Sequence, residues 1–265
     1  MTSPGQSRRL RNMCNAETGI MLCIPIDHGM QVGPIDGLSD PDRLIGEIAD
    51  GGADAVIVNP GLMRRFHKQL ERIPTVILRM DQTTNWRTGS PFGYETTYTR
   101  RVSDVAVAVE MGAEAVITYL FTCNNNPLEE TKCFEINRDI ARQCDKFGMV
   151  HVIEAMAAIG GFAKPADPEV VLLNCRIARE LGADVVKTDW CGEAGMAKVV
   201  QNTLAPIAIA GGSKADAMEE LTDVVRAGIK SGATGLMFGR NTFQRGDVRK
   251  KVQSLRDAAC EMKVN

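Results

Sequence analysis

Histidine is scarce in this chain. His28, His67 and His151 are the three present in 265 residues, and they form neither a paired ligand motif nor a cluster with cysteines at zinc spacing. Metal catalysis is therefore not expected, nor is a bound cofactor. Long apolar runs are missing too: none approaches the ~20 residues that a membrane span requires. Charge of one sign is not in excess. A formal net charge of −2 and an isoelectric point near 6.0 give no electrostatic case for nucleic acid or an anionic membrane. The eight cysteines lack the spacing of a disulfide framework, and Cys23, Cys144, Cys175 and Cys260 fall in apolar or helical segments. With no signal peptide ahead of them, they predict reduced, buried thiols in a cytoplasmic protein.

What the sequence does contain is alternation. Apolar runs of strand length recur at Met21–Ile26, Ala55–Val58, Thr75–Met80, Ala115–Leu120, Met149–Ala155, Asp184–Thr188, Ile207–Ala210 and Gly235–Phe238. Continuous apolar character belongs to strands buried on both faces, as in a parallel sheet covered by helices. Between them, Asp40–Asp50, Thr99–Met111, Pro168–Leu181 and Asp216–Ser231 place apolar residues at three- and four-residue steps, the period of helices packed on one face. A weak repeat supports this division. Gly52, Gly112, Gly182 and Gly232 each read as a helix-ending glycine followed at once by a strand. Their spacings fit two βα units apiece.

Eight such units predict a (β/α)₈ TIM barrel, with residues 21–265 forming the barrel and residues 1–20 an N-terminal extension. An open doubly wound sheet would show a glycine fingerprint after its first strand. The first strand is followed instead by Asp27-His28-Gly29. The segment Arg8–Cys14 reads as a helix without a place in the eight-unit count, which suggests a role in a homo-oligomer.

A barrel of this kind gathers its active site at the C-terminal ends of the strands, so polar residues interrupting the apolar runs are the candidates. They are Asp27 and His28, Asn59, Arg79 and Asp81, Tyr119, Glu154, Lys187, Gly211-Gly212-Ser213 and Gly239-Arg240-Asn241. Lys187, at the end of the sixth run, is placed for imine chemistry on a carbonyl compound. That chemistry needs a neutral amine, which desolvation favours and a nearby carboxylate such as Asp27 opposes. Asp27 is the best general base on offer, and His28 beside it reads as a substrate contact. Gly211, Gly212, Gly239 and Arg240 follow the seventh and eighth strands, where barrels commonly bind phosphate, with Asn241–Gln244 as a short extra helix.

With these residues in place, the chain resembles the class I aldolases that include archaeal-type fructose-bisphosphate aldolases, amino-dideoxy-heptulosonate synthases and the autoinducer-2 phosphate thiolase. The resemblance runs from Ser7 to about Ala258 and rests on Ile24–Gly29, Gly182–Thr188, Ala210–Lys214 and Gly239–Gln244. It implies that Lys187 is the Schiff-base lysine, that Asp27 is the catalytic acid/base, and that Gly211, Gly212, Gly239 and Arg240 contact phosphate. It also implies a multi-subunit assembly. The aldolase and heptulosonate branches carry Tyr-Pro-Arg-Gly at the end of strand five, whereas this chain reads Glu154-Ala155-Met156-Ala157 there. Without that tyrosine, the expectation moves from fructose 1,6-bisphosphate to an atypical phosphorylated ketose or keto-compound, with Glu154 or Tyr119 supplying the proton. The alternatives are acyl transfer from a phosphorylated diketone to coenzyme A, and an idle barrel that binds a sugar phosphate without reacting.

Overall fold

The computed structural model describes residues 3–212, 218–244 and 246–262. Eight parallel strands close in the order β1 (Met21–Pro25), β10 (Gly235–Met237), β9 (Ile207–Ala210), β8 (Val185–Thr188), β7 (Val150–Ala157), β6 (Ala115–Thr122), β3 (Thr75–Arg79) and β2 (Ala55–Val58). This is a TIM barrel. Its wall needs apolar residues on both faces because one face packs inward and the other meets the surrounding helices. The inward set includes Cys23, Ala55, Ile57, Ile77, Ile117, Val152, Val185, Ala208 and Met237, while Leu22, Val56, Leu78, Val116 and Ile209 pack against the helices.

The four repeated glycines do what their positions predict. Gly52, Gly112, Gly182 and Gly232 have φ of +83°, +78°, +109° and +94°, the left-handed conformation in which a helix stops without a Cβ penalty. Helices Pro41–Asp50 and Pro168–Leu181 agree with the sequence reading. The stretch Thr99–Met111 does not form one helix. Its first residues are β5 (Thr99–Arg101), paired antiparallel with β4 (Asp81–Thr83), and helix begins only at Val105. The hairpin escapes a reading based on apolar period because its strands are three residues long and polar. Of the helix read over Asp216–Ser231, Met218–Lys230 is helical, and residues 216 and 217 lie outside the described residues.

The N-terminal helix spans Pro4–Asn12 and has a place within its own subunit. Gln6 Nε2 donates to Asp184 Oδ2 at 2.7 Å and to the Met149 carbonyl at 3.2 Å. Arg9 Nη1 donates to the Gly148 carbonyl at 2.8 Å. The residue after the helix, Met13, is 1% exposed and joins the inward-facing cluster, so it plugs the end of the barrel opposite the strand C-termini. The helix therefore needs no second subunit to be packed. Among the described residues, no helix is long and apolar enough to cross a membrane.

Truncating a buried methionine leaves a cavity and costs about 2 to 5 kcal/mol. Met13→Ala should therefore lower the melting temperature clearly while leaving turnover per folded molecule intact, because the plug lies at the far end from the mouth. An unchanged melting temperature would contradict the packing described.

Candidate active site

The strand register sets the level at which the chemistry sits. Tyr119 of β6 pairs with Glu154 of β7, and Glu154 pairs with Lys187 of β8, so three inward-facing polar side chains stand side by side above the apolar interior. Arg79, the last residue of β3, completes the layer. Above it opens a cavity of about 580 Å³ lined by Asp27, His28, Trp86, Tyr119, Glu154, Lys187, Asp189, Gly211, Gly212, Gly239 and Arg240, among others. Every residue singled out as catalytic or phosphate-binding from the sequence faces this one space. Ser213 and Lys214 lie outside the described residues.

Lys187 is 6% exposed, and its Nζ lies 2.6 Å from Glu154 Oε1. The carboxylate beside the amine is thus Glu154, not Asp27 as the sequence suggested. Asp27 is held elsewhere: Arg79 Nε donates to its Oδ2 at 2.7 Å. Arg79 Nη2 donates to the second oxygen of Glu154 at 2.5 Å, and the guanidinium lies 3.7 Å above the centre of the Tyr119 ring. Burial alone would raise both carboxyls. For Asp27 the Arg79 charge, and for Glu154 the charges of Lys187 and Arg79, outweigh burial and hold each below its ordinary range. Both are carboxylates at neutral pH.

The other titratable groups differ. Burial pushes the His28 imidazole down to about 4, so the ring is neutral, with Nδ1 3.9 Å from Asp27 Oδ1 and its edge against Phe243. Burial holds the Tyr119 phenol well above its ordinary value, which makes it a poor proton donor. Its ring stacks on Phe121 and meets Trp86 edge-on. Asp189, two residues beyond Lys187, is raised to about 6 by burial and then by the nearby Glu154 charge. Arg79 and Asp81 are among the strand-end polar residues read from the sequence, but nothing in the sequence assigned them a role. Asp189 and Trp86 were missed outright. An acidic residue just beyond the lysine-bearing strand was a usable signal for Asp189, whereas Trp86 depends on the unread hairpin.

The phosphate candidates form a cradle between two neighbouring strand ends. Asn241 Nδ2 donates to the Gly211 carbonyl at 2.7 Å, tying the loop after β9 to the loop after β10. The extra helix spans Arg240–Phe243. Gly239 has no room for a side chain, since a Cβ there would stand 2.7 Å from His28 Cε1 and 2.8 Å from the Pro25 carbonyl oxygen.

The model of the DeoC/LacD family aldolases matches residues 21–245. The chain belongs to the DeoC/LacD aldolase family. It is 32% identical over 245 residues to the 2-amino-3,7-dideoxy-D-threo-hept-6-ulosonate synthase of Halobacterium salinarum, covering 92% of this chain and 87% of that one. It is 28% identical over 249 residues to the class 1 fructose-bisphosphate aldolase of Thermoproteus tenax, covering 91% and 89%. Among solved structures, a Schiff-base-forming fructose-1,6-bisphosphate aldolase superposes with a TM-score of 0.85 at 25% identity over 96% of this chain and 99% of that one. The aldolase described here is accordingly a class I lyase, making or breaking a carbon–carbon bond through a Schiff base.

Asp81 gives a test of the electrostatics. Its Oδ2 accepts from the Tyr119 backbone N–H at 2.7 Å, and Arg79 Nη1 stands 3.6 Å from its Oδ1. Burial pushes this carboxyl from 3.8 up to about 7. Between those values the folded aldolase binds more protons than the unfolded chain, so this group's contribution is complete below the lower value and lost as pH rises through the upper. Asp81→Asn carries no charge at any pH. Its melting temperature should therefore gain on the wild type as pH rises from about 5 to about 8; a constant difference across that range would contradict the assignment.

Proposed function

We propose that this aldolase cleaves or forms a phosphorylated ketose or related keto-compound, with Lys187 as the nucleophile. The observation that carries the reading is the contact between Lys187 Nζ and Glu154 Oε1, at 2.6 Å and under a cavity large enough for a sugar phosphate. A lysine amine attacks only when it has lost its proton, and Glu154 is in position to take it. The Glu154 proton then leaves with the carbinolamine hydroxyl as water. The resulting iminium restores the positive charge beside the Glu154 carboxylate, so the ion pair survives the change in bonding. Asp27 takes the proton from the substrate hydroxyl, the carbon–carbon bond breaks, and its electron pair moves toward the iminium to give an enamine.

The enamine carbon needs a proton in return. Asp189 lines the cavity and, with its carboxyl near 6, is better matched to donating at neutral pH than the Tyr119 phenol or the ionised Glu154. In this reading Asp189 takes the place of the tyrosine that strand five lacks, and Tyr119 serves as the platform beneath Arg79. The phosphate rests on the backbone around Gly211, Gly212 and Gly239 and on Arg240, with the neutral His28 beside them. β8 adjoins β9 in the barrel wall, so the phosphate belongs to the ketone fragment that Lys187 holds. No cofactor enters the scheme. A cytoplasmic homo-oligomer remains part of this proposal as what the class I aldolase resemblance implies; the N-terminal helix, packed within its own subunit, lends the oligomer no support.

Borohydride reduction tests the scheme. Incubation of the wild type with dihydroxyacetone phosphate or hydroxyacetone phosphate and borohydride should add the mass of the reduced ketone to Lys187 alone, read by peptide mass. Lys187→Met, close in volume and without the amine, should lose both adduct and turnover while keeping its fold. Asp189→Asn should keep the adduct and slow turnover. Phosphoketone binding without any adduct would mean an idle barrel.

A further inference from the structure

The two ends of the cavity differ in chemistry. In the closed ring of strands, β9 and β10 stand across the mouth from β3 and β6. The β9 and β10 side carries the glycine cradle and Arg240. The opposite side carries Trp86, on the turn Asn85–Arg87 that follows β4, with Tyr119 of β6. Met156 and Ile159, from the end of β7 and the loop beyond it, extend this apolar wall. The Trp86 ring is fixed there, 6.0 Å from the Tyr119 ring and 5.6 Å from the Phe121 ring, edge to face with both.

Cations are unevenly placed around the mouth as well. Among the described residues lining the cavity they are Arg79, Lys187 and Arg240, since His28 is neutral. Arg79 is 1% exposed, sits over the Tyr119 ring and is bound to Asp27 and Glu154. Lys187 is paired with Glu154. Arg79 Nη1 has no hydrogen-bond partner but is buried 3.6 Å from Asp81 Oδ1, so both cations already face carboxylates. The nearby Arg87 directs its Nε to the Gln31 carbonyl oxygen at 2.6 Å. Neither Arg87 nor Lys164, which neighbours Pro165, is among the residues lining the cavity, so a phosphate on the far end of a substrate would meet the aromatic and aliphatic side chains of that wall, whose lining holds no cation among the described residues but the paired Arg79. An unpaired buried anion is heavily penalised, whereas an uncharged carbon chain gains by covering the indole.

We propose that the aldehyde partner of this reaction is uncharged and apolar at its distal end, so that the full substrate is a monophosphate, and that Trp86 selects for it. The inference rests on the imine reading above, with the phosphate on the ketone fragment. A bisphosphate is disfavoured because its second phosphate would meet an apolar wall whose described lining offers it no uncompensated cation. Trp86 acts through contact with the aldehyde, not through Lys187.

The test is condensation with one donor and different aldehydes. With dihydroxyacetone phosphate or hydroxyacetone phosphate as donor, butanal should give a kcat/KM exceeding that of glyceraldehyde 3-phosphate by roughly tenfold or more. Trp86→Ala should reduce that ratio, and Trp86→Arg, which puts a cation on the apolar wall, should move it toward the phosphorylated aldehyde by a similar factor. Trapping of the donor on Lys187 is read in parallel, and because the ratio is internal to each variant, partial loss of folded protein does not change it. A trapped donor with glyceraldehyde 3-phosphate preferred, or a ratio unmoved by both Trp86 variants, overturns the inference and leaves the imine reading standing. Absence of an adduct from either donor in the wild type overturns the imine reading and this inference with it.

Discussion

One guanidinium organises the mouth of this barrel. Arg79 binds Asp27 through Nε and Glu154 through Nη2, with the Tyr119 ring beneath it. Two carboxylates buried without a cation would take up protons or move apart, because desolvation of a charged group costs several kcal/mol. Sharing Arg79 keeps both ionised and fixes the distance between the carboxylate paired with Lys187 and the one beside His28. Removing Arg79 outright would leave an uncompensated buried charge, a loss of about 3 to 5 kcal/mol. Glu154 then has one oxygen for Arg79 and the other for Lys187, so the lysine is positioned at one remove by the same arginine.

The barrel makes this arrangement possible through register. Inward-facing residues alternate along each parallel strand, and the pairing of Tyr119, Glu154 and Lys187 across β6, β7 and β8 puts them at one height. Below them the interior is filled by residues such as Ile117, Val152 and Val185, and Met13 seals its far end. A low-dielectric floor of this kind strengthens the ion pairs above it and leaves the mouth as the accessible side.

Much of this was legible in the sequence. The eight strands were readable because buried parallel strands leave uninterrupted apolar runs, and the glycines at 52, 112, 182 and 232 mark where helices must stop. Lys187, Glu154 and Asp27 stood out as charges at the ends of those runs. Arg79 was among them too, but its pairing was not legible, because pairing depends on which strands adjoin in the closed ring: Arg79 lies 52 positions from Asp27 and 75 from Glu154. Trp86 was hidden for another reason. It sits in a hairpin excursion whose strands are too short and too polar to show a period, and which replaced the first residues of an expected helix. The N-terminal helix was visible, but its docking on Gly148, Met149 and Asp184 was not, since those contacts span more than 130 residues.

The claim that Arg79 keeps both carboxylates ionised is tested most directly by the pH dependence of kcat/KM in Arg79→Lys. Lysine retains the charge but has no fork to reach Asp27 and Glu154 together. Loss of one charge-assisted hydrogen bond, about 1.5 to 3 kcal/mol, corresponds to roughly one to two pH units. The acid limb of the profile should therefore move upward by about that amount, with activity recovering as pH rises. An acid limb that stays where the wild type has it, beneath a uniformly lowered plateau, would contradict the account.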